Sequence, residues 1–291
     1  MDFVKMHGLG NDFIIVPDGQ PDLPAAKYAE AARRLCAPRR GIGADGLVLV
    51  GPDPEYDLRM RIFNADGSEA EMCGNAIRCV AKYAWEAGIC RQPSLRIATL
   101  GGPREAALLT EGDRVTGVRV DMGRPILAAE QIPVRWPESP VVEGKLAVAG
   151  QEFSFTAVSM GNPHCVIEVE EAASFPVRQW GPLIEEHPLF PARTNVEFVT
   201  VLDDRRMQMR VWERGVGETP ACGTGACATA VACALKGVMG RRVTVELAGG
   251  ELFIEWAESD DHVYMTGGAT LVFTGRINLD WPPQVKEGRE F

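Results

Sequence analysis

The sequence predicts an α+β fold of two pseudo-symmetric repeat domains, each a curved mixed β-sheet or barrel wrapped around a central buried helix. Three observations lead to this prediction: an internal repeat, two strongly apolar helical segments, and several short strand-like runs for every helix. A helix that is apolar around its circumference must be buried on every side, and a sheet that curves around it supplies that cover.

The internal repeat is anchored on two cysteines. Cys73 precedes a run of helix formers that ends at Gly88, and Cys222 precedes a second run that ends at Gly237. The interval is 15 positions in both cases. A glycine just past a helix supplies the left-handed residue with which many helices end. The equal intervals indicate two copies of one unit.

Other features of the two halves keep the same register. Asn64 and Glu213 each end an alternating apolar run nine positions before the cysteine, and Gly46 and Asn195 each open a strand-like run 18 positions earlier. Two further pairs correspond, Gly10-Asn11 with Gly161-Asn162 and Gly101-Gly102 with Gly249-Gly250. The offset between the halves drifts only from 151 to 148 residues, which indicates a tandem duplication.

In the first half, apolar alternation predicts strands, and Pro38 ends a short helix that begins near residue 24. The predicted strands are 3–6, 13–16, 47–50, 58–63, 95–99, 105–110 and 115–121, with the Cys73 helix after the fourth. The glycine loop at 41–46 lacks both the GxGxxG pattern and the Lys-Ser/Thr of a P-loop, so we expect a tight turn there and no nucleotide site.

The second half begins near residue 124 and passes through a proline-rich loop at 132–144. The predicted strands are 145–149, 153–159, 165–169, 196–202, 207–213, a hairpin over 242–256, 262–265 and 269–273, with helices at about 177–187 and after Cys222. The Cys222 helix has no polar side chain beyond Thr229 between residues 226 and 235, and the Cys73 helix is also expected to be buried all round.

The charge balance excludes several classes of partner. The net charge is −10, from 40 acidic and 30 basic residues, whereas nucleic acids and anionic membranes select basic surfaces. Apolar runs stay shorter than the roughly 18 residues of a membrane-spanning helix. The first residues lack an apolar signal core. We therefore expect a cytoplasmic protein with a small-molecule partner, no nucleic acid and no membrane.

The chain contains eight cysteines and four histidines. In a long chain without a signal peptide, reduced thiols are expected rather than a disulfide framework. No CxxC motif is present and the histidines are scattered, so no metal site is predicted. Six of the cysteines are predicted as core residues: Cys36, Cys79, Cys90, Cys165, Cys227 and Cys233.

Cys73 and Cys222 fall at helix N-termini, where unpaired N–H groups favour an anion and should lower the pKa of a thiol. A pseudo-twofold axis between two repeats would place the two thiols on opposite sides of one cleft. The N–H groups of Gly74-Asn75 and Gly223-Thr224 could then bind a single carboxylate and so acidify the neighbouring carbon. One thiolate would remove a proton and the opposite thiol would return one to the other face. The repeat thus predicts inversion of a stereocentre.

Polar residues at repeat-related positions predict a ligand shell. Five amides fall at strand ends and helix starts: Asn11, Asn64, Asn75, Asn162 and Asn195. Glu213 and Arg214 in the second half correspond to Asn64-Ala65 in the first, so the symmetry is broken there. A carboxylate can receive an ammonium group and a guanidinium can clamp a carboxylate, so this difference should determine specificity. His164 lies just past Asn162, where it is either a group that tunes the thiols or a structural histidine.

These motifs resemble the diaminopimelate epimerase family over nearly the whole chain. The stretches that carry the resemblance are 5–13 (KMHGLGNDF), 64–68 (NADGS), 72–78 (MCGNAIR), 161–164 (GNPH), 213–219 (ERGVGET) and 221–225 (ACGTG). The resemblance implies a cofactor-independent isomerase that interconverts LL- and meso-2,6-diaminopimelate for lysine and peptidoglycan precursor synthesis. It also implies a homodimer with the fold of that family.

The resemblance implies a role for each matching position. Cys73 and Cys222 would be the acid–base pair, modulated by His164 and Glu213. The substrate-binding set would be Asn11, Asn64, Gly74, Asn75, Asn162, Asn195, Glu213, Arg214, Gly223 and Thr224. The last strand would return to the first domain, so the expected domains are 1–123 plus about 267–291, and 124–266. Some members carry a glutamine where this chain has Gly46, so the resemblance gives no side-chain contact to substrate there.

Two alternatives stay open at this point. A proline racemase-like enzyme would share the paired cysteines and the fold, but it would not need a receptor for a distal ammonium and carboxylate. A non-catalytic binding protein or thiol redox switch would use Cys73 and Cys222 as a reversible disulfide.

Overall fold

The protein, in a computed structural model, is described over residues 1–279, where it forms 18 strands and four α-helices. The first repeat contains β1 (Asp2–Gly8), β2 (Asn11–Pro17), α1 (Tyr28–Leu35), β3 (Gly46–Gly51), β4 (Leu58–Asn64), β5 (Glu69–Ala70), α2 (Gly74–Glu86), β6 (Ser94–Ala98), β7 (Arg104–Glu111) and β8 (Arg114–Asp121). A single 3₁₀ turn, Ala25–Lys27, leads into α1.

The second half of the chain repeats this order, with one additional strand at each end. It contains β9 (Gly144–Val148), β10 (Gln151–Ser159), β11 (Pro163–Glu168), α3 (Val177–Glu185), β12 (Asn195–Val201), β13 (Arg206–Glu213), β14 (Gly217–Thr219), α4 (Gly223–Leu235), β15 (Arg242–Leu247), β16 (Gly250–Trp256), β17 (Val263–Gly267) and β18 (Thr270–Arg276). The α+β class and its two pseudo-symmetric repeats are confirmed.

Strand pairing repeats step by step between the halves. In the first, β2 runs parallel to β3, β3 antiparallel to β4, β4 antiparallel to β5 and parallel to β6, and β6 antiparallel to β7. In the second, β11, β12, β13, β14, β15 and β16 take those places with the same directions. The duplication inferred from glycine and cysteine spacing is therefore present in the sheet itself.

Two pairings cross between the halves. β17 pairs with β8, with Met265 opposite Val120, and β18 pairs with β1, with Arg276 opposite Asp2. The return of β18 to β1 supports the expected division into 1–123 plus about 267–291 and 124–266, which stays a prediction. Residues 280–291 of that division lie outside the described residues.

The two central helices differ in burial. α4 is buried along most of its length. The expectation that α2 is also buried all round is wrong for its last two turns, where Lys82, Tyr83 and Trp85 are partly exposed and Glu86 is exposed. The N-terminal part of α2 is enclosed, and it includes a fully buried Arg78. Polar groups therefore occupy both ends of this helix.

All eight cysteines are free thiols. Five of the six predicted core cysteines are buried, whereas Cys90, in the loop after α2, is only half-buried. Gly88 and Gly237 follow α2 and α4 with φ of 71° and 74°, as the helix-stop prediction required. None of the helices in residues 1–279 has the length and apolarity that a membrane crossing requires.

Candidate active site

The first residues of α2 and α4 pack against one side chain. Cys73 and Cys222 occupy the residue before each helix in extended backbone, with φ of −145° and −128°. A Cβ added to Gly74 would lie 2.7 Å from Met265 Cε, and one added to Gly223 would lie 3.0 Å from Met265 Sδ. Because neither glycine has a side chain, both helix N-termini reach Met265. The structure thus brings the two predicted thiols to one locality.

The Cys73 thiol donates to Asn11 Oδ1 at 3.6 Å. The same oxygen accepts from Asn75 Nδ2 at 3.2 Å, while Asn11 Nδ2 donates to Asp45 Oδ2 at 2.7 Å. Asp45 also accepts from the Asp12 N–H at 2.9 Å, which ties the glycine loop to β2. Asp45 therefore fixes the Asn11 amide with its oxygen toward the thiol. Asp45 was not among the predicted residues.

The Cys222 thiol has a different set of neighbours. The Gly225 N–H donates to Cys222 Sγ at 3.4 Å, and Thr224 Oγ1 lies 3.5 Å from the same sulfur. Asn162 Nδ2 donates to Thr224 Oγ1 at 3.4 Å. The Glu213 carboxylate hydrogen-bonds the Cys222 thiol and also accepts from the Thr219 hydroxyl. Thr224 and Gly225 of α4 thus contact the sulfur, and Asn162 and Thr219 hold Thr224 and Glu213 beside it.

His164 does not touch either thiol directly in the contacts that residues 1–279 make. It is fully buried, with Nδ1 2.7 Å from Glu197 Oε1 and Nε2 2.9 Å from Asn162 Oδ1. Glu197 was missed in the sequence, where its one signal is an acid inside the apolar run that follows Asn195. A Cβ on Gly225 would lie 2.8 Å from Glu197 Oε1, so this carboxylate borders the Cys222 helix turn.

Burial raises the pKa of both thiols, although their other neighbours differ. Burial raises the pKa of Cys73, and the N–H groups of Asn75 and Ala76 lower it only in part. Burial raises the pKa of Cys222 well above its usual range, and the charges of Glu213 and Glu197 raise it further. The expected lowering of the thiol pKa at the helix N-termini is therefore wrong in net direction, because desolvation outweighs the helix N–H groups.

Glu213 connects the two thiols. Its charge raises the pKa of Cys73 as well as that of Cys222. The pKa of its own carboxyl is raised, first by burial, and the bonds from Thr219 and Cys222 act in the opposite direction. Both thiols therefore lie within electrostatic reach of one carboxylate.

The remaining predicted residues lie farther out on strand ends. Asn195 is buried, and its side chain joins the Pro163 carbonyl (2.8 Å) to the Arg214 N–H (2.9 Å). The exposed Arg214 guanidinium donates to the Ala192 carbonyl at 3.1 Å. Asn64 is exposed and bonds Ser68 Oγ at 3.0 Å within its own turn. Asn64 and Arg214 are therefore exposed and Asn195 is buried, and in residues 1–279 the bonds of these three side chains do not include either thiol.

Arg78 is a further residue that the sequence reasoning overlooked. Its guanidinium donates to Asn75 Oδ1 at 2.8 Å, behind the Cys73 cluster. The MCGNAIR stretch contains it, and the expectation that this helix is buried all round was the signal that could have found it. Within residues 1–279, no group of three or more His, Cys, Asp and Glu side chains is arranged to hold a metal ion. The site therefore offers thiols, amides, carboxylates and helix N–H groups for its chemistry.

Comparison with known proteins gives consistent matches over nearly the whole chain. The family model described as diaminopimelate epimerase matches residues 3–128 and 156–272. A diaminopimelate epimerase of Moorella thermoacetica is 56% identical over 280 residues, 96% of this chain and 100% of the relative. Those of Desulfitobacterium hafniense and Methanococcus maripaludis are 55% and 50% identical, each over 96% of this chain and at least 99% of the relative.

Solved structures share the fold at much lower identity. A probable proline racemase from Agrobacterium radiobacter superposes with a TM-score of 0.69 at 18% identity, over 96% of this chain and 93% of that one. A phenazine biosynthesis protein of the PhzF family from Bacillus anthracis gives a TM-score of 0.69 at 16% identity, over 96% and 99%. Identity this low supports the fold alone.

Proposed function

The chain belongs to the diaminopimelate epimerase family, and from this premise we propose that Cys73 and Cys222 interconvert LL- and meso-2,6-diaminopimelate by a two-base, cofactor-independent reaction. Members of the family are isomerases. The observation that carries the mechanism is the pair of thiols before repeat-related helices whose first residues both contact Met265.

The reaction begins with the substrate carboxylate at the N–H groups of Gly74-Asn75 and Gly223-Thr224. Helix N-termini bind anions, and neutralising the carboxylate stabilises the negative charge that develops on the adjacent carbon. One cysteine, as thiolate, accepts the proton from that carbon. The other, as thiol, donates its proton to the opposite face, and the electron pair of the broken C–H bond forms the new one. The configuration is inverted.

The protonation states are exchanged after one turnover. The thiol that donated is now a thiolate, so it can serve as the base for the reverse reaction. Two thiols that exchange a proton through the substrate titrate as a coupled pair. Asn11 orients Cys73, and Thr224 with the Gly225 N–H orients Cys222.

Two groups of residues are suited to bind the rest of the substrate. One lies beside the thiols and the other is exposed. Glu213 bonds the Cys222 thiol, so its carboxylate suits an ammonium group close to the reacting carbon. The exposed Arg214, held by Asn195, and Asn64 are suited to the distal carboxylate and ammonium. Asn162, hydrogen-bonded to both Thr224 and His164, connects the two groups. His164 then acts on the thiol through Asn162 and Glu197.

The two alternatives are less well supported. The solved structure of a probable proline racemase is 18% identical and supports only the fold, whereas diaminopimelate epimerases are 50–56% identical over 96% of the chain. A binding protein or disulfide switch would not account for the convergence of carboxylates and amides on both free thiols. The product would serve lysine and peptidoglycan precursor synthesis.

We also propose a cytoplasmic homodimer that binds neither nucleic acid nor membrane. β18 pairs with β1 along one edge and exposes three consecutive apolar residues, Leu271, Val272 and Phe273. Such a stretch on an edge strand is typical of a subunit contact. Sedimentation at micromolar concentration is the test, and a monomer under those conditions would exclude the dimer.

The reaction is tested by proton NMR of the reduced protein in D₂O with LL-diaminopimelate, L-proline and L-lysine. We expect loss of the α-proton signal with diaminopimelate, together with growth of the meso isomer, and no loss with proline or lysine. Cys73→Ala and Cys222→Ala should each abolish the reaction, whereas Cys227→Ala, a buried cysteine outside the cluster, should retain it. Exchange with proline would favour the racemase alternative. Full activity of either catalytic variant would exclude the two-thiol mechanism.

A further inference from the structure

The turn between β1 and β2 in the first half of the chain packs against the second half. A Cβ added to Gly249, in the turn between β15 and β16, would lie 1.9 Å from the Leu9 carbonyl oxygen and 2.8 Å from the Leu9 carbonyl carbon. One added to Gly250 would lie 2.8 Å from Leu9 Cδ2, and one added to Gly10 would lie 3.8 Å from Pro220 Cγ. Because a real Cβ does not come within 3.0 Å of another atom, the Leu9 backbone rests directly on Gly249.

Space, and not backbone conformation, requires a glycine at position 249. Gly10 and Gly250 have positive φ, at 84° and 134°, whereas Gly249 does not. Glycine also serves where one backbone segment must approach another closely. Leu9 itself has a φ of 57°, a conformation that a residue with a Cβ keeps only when its surroundings hold it there. A substitution at Gly249 therefore tests the close approach alone.

Each side of this contact leads to one of the two thiols. Leu9 lies two residues before Asn11, whose Oδ1 accepts from the Cys73 thiol. The Gly249 N–H donates to the Pro220 carbonyl at 2.9 Å, two residues before the second thiol. The contact between Leu9 and Gly249 thus joins the segment that holds one thiol to the segment that leads to the other.

The repeat predicts a second contact of this kind, between the turn at Gly161 and Gly101, which the described residues do not make. Gly101 keeps the bond of its counterpart, since its N–H donates to the Glu71 carbonyl at 2.8 Å. However, a Cβ on Gly161 would meet no atom within 4 Å, and the atoms nearest to one on Gly101 belong to Glu71 and Met72 of its own half. Both glycines are exposed, whereas Gly249 is half-buried. Of these two repeat-related contacts, the halves therefore make one.

We propose that Gly249 is a positioning residue for the reaction: by admitting the Leu9 backbone, it sets the distance between Cys73 and Cys222. This role rests on the two-thiol function proposed above. Two sulfurs that act on opposite faces of one carbon must both reach it, and a misplacement of about 1 Å can cost roughly 100-fold in rate. A Cβ on Gly249 would have to move from 1.9 Å to 3.0 Å or more from the Leu9 oxygen, which is a displacement of about that size.

The test distinguishes the distance between the thiols from the state of each thiol, and it needs no substrate. The reduced protein is treated with limiting diamide, which takes two electrons and two protons from a pair of thiols, and the Cys73–Cys222 disulfide is quantified by peptide mass spectrometry. A disulfide requires the two Cα atoms to come within about 7 Å, so its rate of formation depends on the separation of the helices. Alkylation of each thiol by iodoacetamide, measured in parallel, reports its own surroundings.

Gly249→Ala should slow disulfide formation about fivefold or more and leave both alkylation rates within about twofold of the parent, because the thiols move apart while their own neighbours stay. In the epimerase assay, kcat should fall at least about tenfold. Gly101→Ala is the matched control from the other half, since its Cβ would lie 3.4 Å from the Glu71 carbonyl oxygen, and it should leave every rate unchanged.

Three results would overturn the positioning role. The first is an unchanged disulfide rate in a folded Gly249→Ala protein. The second is an equal loss in the alkylation of either thiol, which would show a local disturbance and not a change of distance. The third is a parent protein that forms no Cys73–Cys222 disulfide, because the two thiols would then not face each other.

A second set of variants keeps the role testable if Gly249→Ala does not fold. Gly250→Ala places a Cβ against Leu9 Cδ2, the end of a flexible side chain, so disulfide formation should slow by a smaller factor, about twofold. Adding Leu9→Ala removes that atom and should restore the rate, with Leu9→Ala alone as the control. Slowing that persists in the double variant would contradict the contact. Because neither thiol reaction needs turnover, a slower disulfide in a protein that does not epimerise diaminopimelate would reject the proposed function and keep the spacing role.

Discussion

Gly225 provides the space in which a carboxylate and a thiol meet at the start of α4. A Cβ at this position would lie 2.8 Å from Glu197 Oε1 and 3.2 Å from Cys222 Sγ. Glu197 is fully buried and bonded to His164, so it has little room to yield. The absent side chain therefore determines the geometry of the proposed acid–base group.

Gly225→Ala should lower kcat/KM for diaminopimelate at least tenfold, because the new methyl group displaces either Glu197 or Cys222. Overpacking of this kind also costs about 1–3 kcal/mol of unfolding free energy. Steady-state kinetics and urea unfolding measure the two effects. Gly240→Ala is the control, since a Cβ there meets no atom within 4 Å. Wild-type kinetics for Gly225→Ala would contradict the steric role.

For individual residues, the sequence predicts features that depend on neighbouring residues, but it does not predict contacts that depend on the register between strands. Cys73 and Cys222 could be found because a helix start is defined by neighbouring residues. Glu197 is 33 residues from His164, and the two meet only through the parallel pairing of β11 with β12. Asp45 was missed for a similar reason, since it reaches Asn11 across the glycine loop.

The two central helices, α2 and α4, are each followed by a glycine in the left-handed conformation. Gly88 and Gly237 adopt positive φ, and a Cβ on either would meet no atom within 4 Å. Any cost of a side chain there is therefore a backbone cost alone. For a residue with a Cβ, the left-handed conformation costs roughly 1–2 kcal/mol.

Gly88→Ala should accordingly lower the unfolding free energy by about 1 kcal/mol and leave turnover unchanged. Gly88→Asn should recover a substantial part of that loss, because asparagine tolerates the left-handed region. Denaturant titration of the three proteins measures the difference. Equal stability of the alanine variant and the parent would mean that the helix end rearranges instead.

Element prediction worked where a pattern was long. The strands of four or more residues and the four helices were anticipated in type, and their bounds differ by a few residues. The two- and three-residue strands β5 and β14 were missed, because alternation cannot be recognised over so short a run. The exposure of the last turns of α2 was misjudged although Lys82 and Glu86 already mark a polar side of the helix there.

For the whole molecule, the buried thiols create a dependence of stability on pH. Burial raises the pKa of seven cysteines: Cys36, Cys73, Cys79, Cys165, Cys222, Cys227 and Cys233. Four of them, Cys36, Cys79, Cys227 and Cys233, reach about 12 from an ordinary value of 9.0. Above pH 9 the unfolded chain therefore releases protons that the folded chain retains.

The unfolding free energy should stay level up to about pH 8.5 and fall between pH 9 and 10. The limiting slope is about 1.4 kcal/mol per pH unit for each such thiol, since the unfolded state binds fewer protons than the folded one. Urea unfolding at successive pH values, in the presence of reductant, measures this slope of the unfolding free energy against pH. Cys227→Ala should reduce the slope by one thiol's share, and a slope that is flat through pH 10 would contradict the assignment of burial.

The pairing of β1 with β18 has a consequence for the order in which the protein is made. β1 is synthesised before every other described strand and β18 after them, yet they are neighbours over residues 2–7 and 270–276. The Met1 carbonyl also accepts from the Ile277 N–H at 2.9 Å. During translation the first repeat must wait, with β1 and β8 each lacking a partner strand, until the second half has emerged from the ribosome. A circular permutant that joins the two strands by a short turn and opens the chain between the repeats, near residue 124, would remove that wait and make each repeat continuous.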